Sequence, residues 1–173
     1  MVLLAGQSPE RDFGLLLLTF AVGDATCALP SRAIREVVPM ALLSRPPGLP
    51  SIVEGLLNLG GVAIPVVSFK RLFKMEGPPP GLYAHVIVLR GETPLAFLVD
   101  YVKGAVEVSE SALVPVRGER TFNECVEAEV MLDGCTVSLM AADKLLLLEE
   151  RLRIREFCDT KEERLGVMQE PPT

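Results

Sequence analysis

Gly55-Leu56-Leu57-Asn58-Leu59-Gly60-Gly61-Val62-Ala63-Ile64-Pro65-Val66-Val67 sets a glycine pair between two apolar runs and carries almost nothing able to do chemistry. Glycine tolerates positive φ, so Gly60-Gly61 can close a tight turn. Val62, Ile64, Val66 and Val67 suit a pleated, half-buried surface, and the segment reads as a strand entering a small barrel. Pro65 has no N–H to give to a ladder, which confines it to an edge, a bulge or a strand start. The strand is therefore expected to keep an open flank, usable as a docking edge. The same spacing also fits an ordinary hairpin.

Working outward, Leu15 to Val22 and Thr26 to Leu29 flank the compact turn Gly23-Asp24-Ala25 and read as a first hairpin, stopped by Pro30-Ser31. Ser31 is placed to cap a short turn through Ile34, after which Glu36 to Met40 is extended. Pro39, Pro46, Pro47, Gly48 and Pro50 make the stretch 39–50 a surface crossing of polyproline character. A short helix, Ser51 to Leu57, is expected beneath it. Ser68 is placed to cap a second, from Phe69 to Lys74, with Phe69, Leu72 and Phe73 on one inward face.

Gly77-Pro78-Pro79-Pro80-Gly81 is the clearest break and divides the sequence near its middle. A second series of strands follows: Ala84 to Leu89, Leu95 to Val99, Val102 to Val108, Val126 to Leu132 and Thr136 to Met140. Their turns are Gly91-Glu92-Thr93 and Asp133-Gly134, the latter a strong hairpin marker. Many short strands with few helices indicate small barrels. From Ala141 onward the pattern of Leu145 to Leu148, Leu152, Ile154 and Phe157 amid Glu and Arg reads as a helix that caps them. Residues 1–12 and 156–173 read as flexible tails around one domain, 13–155.

The chain has 173 residues, 49% hydrophobic and 23% charged, enough to bury a core. Its net charge of −6, with 17 scattered basic residues, argues against nucleic acid as a partner. Leu15 to Val22 is far shorter than the roughly 20 residues of a membrane-spanning helix, and Glu10, Arg11 and Asp12 interrupt any signal-peptide pattern. A soluble, cytoplasmic protein is expected. Cys27, Cys125, Cys135 and Cys158 form no CxxC pair and His85 is the single histidine, so neither a metal site nor a catalytic Cys-His or Ser-His-Asp set is expected. Cys27 and Cys135, in strand-like runs, are expected to be small buried hydrophobes. Gly60-Gly61 lacks the Lys-Ser or Lys-Thr of a P-loop, so no nucleotide cofactor is implied. Asp100, abutting apolar strand residues, suits service to a turn through its side-chain oxygens.

Ala33-Ile34-Arg35-Glu36-Val37-Val38, Leu49-Pro50-Ser51-Ile52-Val53-Glu54, the stretch quoted first, Val66-Val67-Ser68-Phe69 and Leu98-Val99-Asp100-Tyr101-Val102-Lys103-Gly104 follow one another in an order that resembles the CheW family of chemotaxis coupling proteins. The resemblance spans roughly residues 13 to 148. It implies a mostly β fold of two intertwined five-stranded SH3-like barrels with short helices and a C-terminal helix. It also implies a non-catalytic adaptor, without cofactor, bridging the helical cytoplasmic tip of a chemoreceptor (a methyl-accepting chemotaxis protein) and the regulatory domain of a CheA-type histidine kinase. By position, Ile34 and Glu36 match residues near the receptor groove, with Ile34 as an exposed apolar contact. Gly55, Asn58 and Gly61 match the signature turn, and Asp100, Val102 and Gly104 the second-barrel signature. The family pattern at the turn is Asn-Leu-Arg-Gly, and here Gly60 stands at the arginine position. Ser68 stands where an aspartate is customary. The rival reading is an unrelated barrel that captures a peptide along the Pro65 edge. The first reading expects paired barrels with an apolar groove between them, the second one barrel with a lone edge.

Overall fold

The computed structural model describes residues 14–117 and 124–169, with side chains up to residue 162. The reading of residues 1–12 as a tail lies outside the described residues. Two antiparallel-rich sheets form the body. One has six strands in the order β8-β1-β2-β11-β10-β9, from Tyr101–Ser109 (β8), Gly14–Val22 (β1), Ala25–Pro30 (β2), Cys135–Met140 (β11), Val126–Leu132 (β10) and Val114–Pro115 (β9). The other has five, β3-β6-β7-β5-β4, from Ile34–Pro39 (β3), His85–Leu89 (β6), Ala96–Val99 (β7), Val62–Ser68 (β5) and Val53–Leu59 (β4). The barrels are intertwined because the middle of the chain builds one, while its two ends meet in the other. Gly77–Gly81 therefore divides nothing in space: β6 and β7 lie beyond it, yet join β3, β4 and β5.

Strands β4, β5, β6 and β7 are buried on both faces over most of their length, which explains why they read as continuous apolar runs, whereas β10 alternates. Ile64, Val66, Val86, Val88, Ala96 and Leu98 fill the interior of the five-stranded barrel. Leu17, Ala28, Val108, Ala128, Val130, Val137 and Leu139 fill the other. The alternate positions, Phe20, Cys27, Leu29, Val67, Ile87 and Phe97, point the other way into a third core shared by both sheets. Phe69 and Leu72 of the one-turn helix Phe69–Leu72 (α1) also enter it, with Phe73 packed against them, and Ser68 Oγ accepts from Arg71 N at 3.3 Å as its cap.

Three sequence expectations give way here. Residues 51–57 are not a helix: Val53–Leu59 is a strand, because a short apolar run of this kind takes whichever state its neighbours supply, and here β5 supplies a ladder. Pro65 does not mark a sheet edge, since β5 lies between β4 and β7. Leu56, opposite Pro65, spends its own N–H and C=O on Ser44 (2.8 and 2.9 Å), so Leu56 and Pro65 are a non-hydrogen-bonded pair. The missing N–H of Pro65 consequently faces the β7 side, where pairing begins only at Val66. The third is Cys135, which is exposed beside its turn.

The C-terminal helix, Leu148–Gln169 (α2), starts later than the sequence pattern suggests and continues through the stretch read as a tail from residue 156. Ile154 is buried in the shared core, with Cys158 packed against it. Phe157 and Lys161 line a groove of about 670 Å³ against Pro46, Pro47, Pro50 and Ile52 of the surface crossing. No helix among the described residues is long and apolar enough to cross a membrane.

Candidate partner-binding surface

The turn that opened the sequence reading is built by its own residues. Gly60 (φ +61°) and Gly61 (φ +85°) are both left-handed, and Asn58 Oδ1 accepts from Gly61 N at 3.0 Å. A side chain at Gly60 would meet nothing within 4 Å, so the backbone angle and not space selects glycine there. Gly55 is required for the opposite reason. A Cβ on it would stand 2.7 Å from Leu43 Cβ and 2.9 Å from Ser44 O, where the crossing pairs onto β4.

Beside Gly55, Glu54 is only 7% exposed and is held by two guanidinium groups, Arg45 at 2.7 Å and Arg71 at 3.0 Å. Arg45 Nε also donates to Glu54 O, and Arg71 to Ser51 O. This buried carboxylate ties β4 to the crossing and to α1. Nothing in the sequence signalled it, because its partners lie on separate elements.

Ile34 does not serve as an exposed contact: it is 9% exposed and belongs to the shared core. The register explains the burial, since Ile34 lies opposite Leu89 and faces the same core. Glu36, after a bulge that re-aims the strand, is half-buried and pairs with Arg35 on its own strand at 3.4 Å. Gly104 sits at a bulge in β8, opposite Thr19, with φ +150°, and its carbonyl accepts from Thr19 Oγ1 at 3.1 Å. Val102 N donates to His85 Nδ1 at 3.2 Å. His85 is also the register partner of Pro39, so one histidine links the end of β3 to the start of β8. His85 thus brings Pro39 of β3 beside Val102 of β8, and these two strands terminate their sheets.

Asp100, partly exposed, spends both carboxylate oxygens on its own chain. Its Oδ2 accepts from Gly23 N at 2.7 Å and its Oδ1 pairs with Lys70 Nζ at 2.9 Å. Large apolar side chains missed by the sequence reading stand near the linked strand ends: Leu42, Leu82 and Tyr83 are 98%, 94% and 84% exposed. The bond from Met40 N to Ala84 O brings their segments to one end of the five-stranded barrel. Isolated loop positions gave no periodicity by which to find them. A cleft of about 640 Å³ between the barrels has a mixed lining: Pro30, Leu89, Leu95 and Met140 give it an apolar part, and Arg32, Arg90, Glu127, Asp143 and Arg151 a charged one.

Reactive chemistry is muted. Burial pushes the Cys27 thiol up to about 11, with neighbouring Cys125 adding to the rise, and burial likewise raises Cys125 and Cys158. Such thiols are protonated at neutral pH and poor nucleophiles. Among the described residues no three His, Cys, Asp or Glu side chains gather as a metal site.

Residues 16–150 match the family model of the CheW-like domain. The chain is 28% identical over 144 residues to the chemotaxis protein CheW of Rhizobium meliloti, covering 80% of this chain and 91% of that one. It is 23% identical over 140 residues to the CheW of Thermotoga maritima, with 81% and 91% covered. The crystal structure of the scaffolding protein TtCheW from Thermoanaerobacter tengcongensis superposes with a TM-score of 0.69 at 21% identity, over 75% of this chain and 90% of that one. With a family match running through both barrels, the chain belongs to the CheW family.

Proposed function

We propose that this non-catalytic chemotaxis adaptor couples the helical cytoplasmic tip of a chemoreceptor to the regulatory domain of a CheA-type histidine kinase, working in the cytoplasm at receptor arrays. The observation that carries this reading is the meeting of β3 and β8, the terminal strands of the two sheets, at His85. A coupler needs partner faces held in one relation, and two barrels sharing a core supply that. Exposed Leu42, Leu82 and Tyr83 beside it give apolar contact area of the kind that marks protein interfaces.

The test is size-exclusion chromatography of the purified protein with a receptor cytoplasmic fragment, with a kinase regulatory domain, and with both. A ternary complex supports the reading, and binding to neither defeats it. Glu36→Lys on β3 is expected to weaken receptor binding without lowering the melting temperature. Because Gly60 replaces the family arginine, engagement is expected to be weaker than in a typical member. Gly60→Arg is expected to tighten binding, with a gain that shrinks in high salt.

A further inference from the structure

We propose that Asp100 and Lys70 form a brace that fixes the angle between the two barrels, which makes Asp100 a positioning residue and not a partner contact. Asp100 stands between β7, in the five-stranded sheet, and β8, in the six-stranded one. It therefore occupies the bend where the chain passes from one barrel to the other. Its two carboxylate oxygens are divided between them. Oδ2 accepts from the backbone of Gly23, in the β1–β2 turn of the six-stranded barrel, at 2.7 Å. Oδ1 receives Lys70 Nζ, from α1 at the end of β5, at 2.9 Å. Lys70 also donates to Pro78 O at 3.1 Å, which secures the segment leading back to β6. Asp100 N meanwhile donates to Ala21 O at 3.0 Å, so backbone and side chain grip the same hairpin.

The pair is 15% and 27% exposed, shielded enough that solvent and salt screen it less than an open surface pair. Gly23, which donates that bond, sits at φ +57° in the tight β1–β2 turn, a left-handed angle that favours glycine. The other crossing, from β2 to β3, runs through a short turn at Ser31–Ala33 whose entry has no side-chain hydrogen bond. Arg90 holds that crossing, its N donating to Ala33 O at 2.9 Å and its Nε to Ile34 O at 2.8 Å, whereas at the β7–β8 crossing the side chain of Asp100 itself reaches both barrels, adding an angular constraint to the shared core.

The test reads the angle directly. Nitroxide labels on exposed Cys135, in the six-stranded barrel, and on a cysteine introduced by Val62→Cys, in the five-stranded one, report the distance between barrels by pulsed dipolar spectroscopy. Cys158→Ser keeps the label off the half-buried thiol, and Cys27 and Cys125 are buried. The parent is expected to give one narrow distance. Lys70→Met and Asp100→Ala are expected to broaden or displace it while each barrel keeps its β-sheet circular dichroism, and Lys70→Arg to restore it. An unchanged narrow distance in folded Lys70→Met overturns the brace. That variant leaves the Gly23 bond in place and decides the matter if Asp100→Ala does not fold. A binding arm rests on the coupling reading: Lys70→Met is expected to weaken ternary assembly more than either binary complex. A parent that binds neither domain defeats coupling and leaves the distance result standing.

Discussion

The β4–β5 and β10–β11 hairpins occupy equivalent places in the two barrels and solve the same backbone problem with different residues. Counting back from each turn, Gly60-Gly61 corresponds to Asp133-Gly134, Gly55 to Ala128 and Glu54 to Glu127. Both ladders carry an irregularity at the same step, between Val53 and Gly55 and between Val126 and Ala128. Both turns are left-handed at both positions, with φ +61° and +85° in one and +48° and +76° in the other. Outside β10 lies the regular short strand β9, paired through Pro115 to Ala128. Outside β4 lies only the bridge of Ser44 to Leu56, pressed so close that Gly55 cannot carry a side chain. Where the backbone pairing is thinner, side-chain electrostatics take over: Glu54 is buried between two arginines, whereas Glu127 is exposed.

Substitutions at matched positions probe this division. Gly55→Ala forces a Cβ into Leu43 and Ser44 O, and overpacking of this kind costs about 2–3 kcal/mol in urea unfolding. The matched Ala128→Gly is expected to lose about 1 kcal/mol, from backbone entropy and a lost methyl contact. Equal losses would break the claim that the crossing sits closer over β4. Next, Glu54→Gln removes a buried anion with two charge-assisted partners and is expected to cost about 2 kcal/mol. Glu127→Gln should stay within about 0.5 kcal/mol. A smaller effect is expected at Gly60, where arginine must adopt left-handed φ at a cost of about 1 kcal/mol. Gly60→Asp, copying Asp133, is expected to shift stability by only about a few tenths of a kcal/mol. A Gly60→Asp variant no better tolerated than Gly60→Arg would show that the two turns are not equivalent.

Both hairpin turns were legible in the sequence because the reasons for them are local: glycine or aspartate at left-handed positions, flanked by apolar residues. The α1 cap at Ser68 was legible for the same reason. The strand state of residues 53–57 was not legible because the run Ser51 to Leu57 lacks strict alternation and its outer partner, Ser44, lies on a proline-rich crossing that gives no strand signal. Ile34 was placed on the surface by family position, while its register with Leu89 buries it. Glu54 escaped notice since one carboxylate in an apolar run says nothing of the arginines that fold over it. The turn-serving role read for Asp100 matches the bond it accepts from Gly23, but the second oxygen's reach to Lys70 could not be read from spacing.

The interleaving of the chain ends also sets an order of assembly on the ribosome. All five strands of the middle barrel emerge before Asp100, so that barrel can close while the remainder is still being made. The β1–β2 hairpin is translated first but must wait longest, because its neighbours β8 and β11 come from later in the chain. During that interval the hairpin has both outer edges unpaired and the apolar side chains of Leu17, Phe20, Val22 and Leu29 uncovered, and a nascent-chain chaperone would find them there.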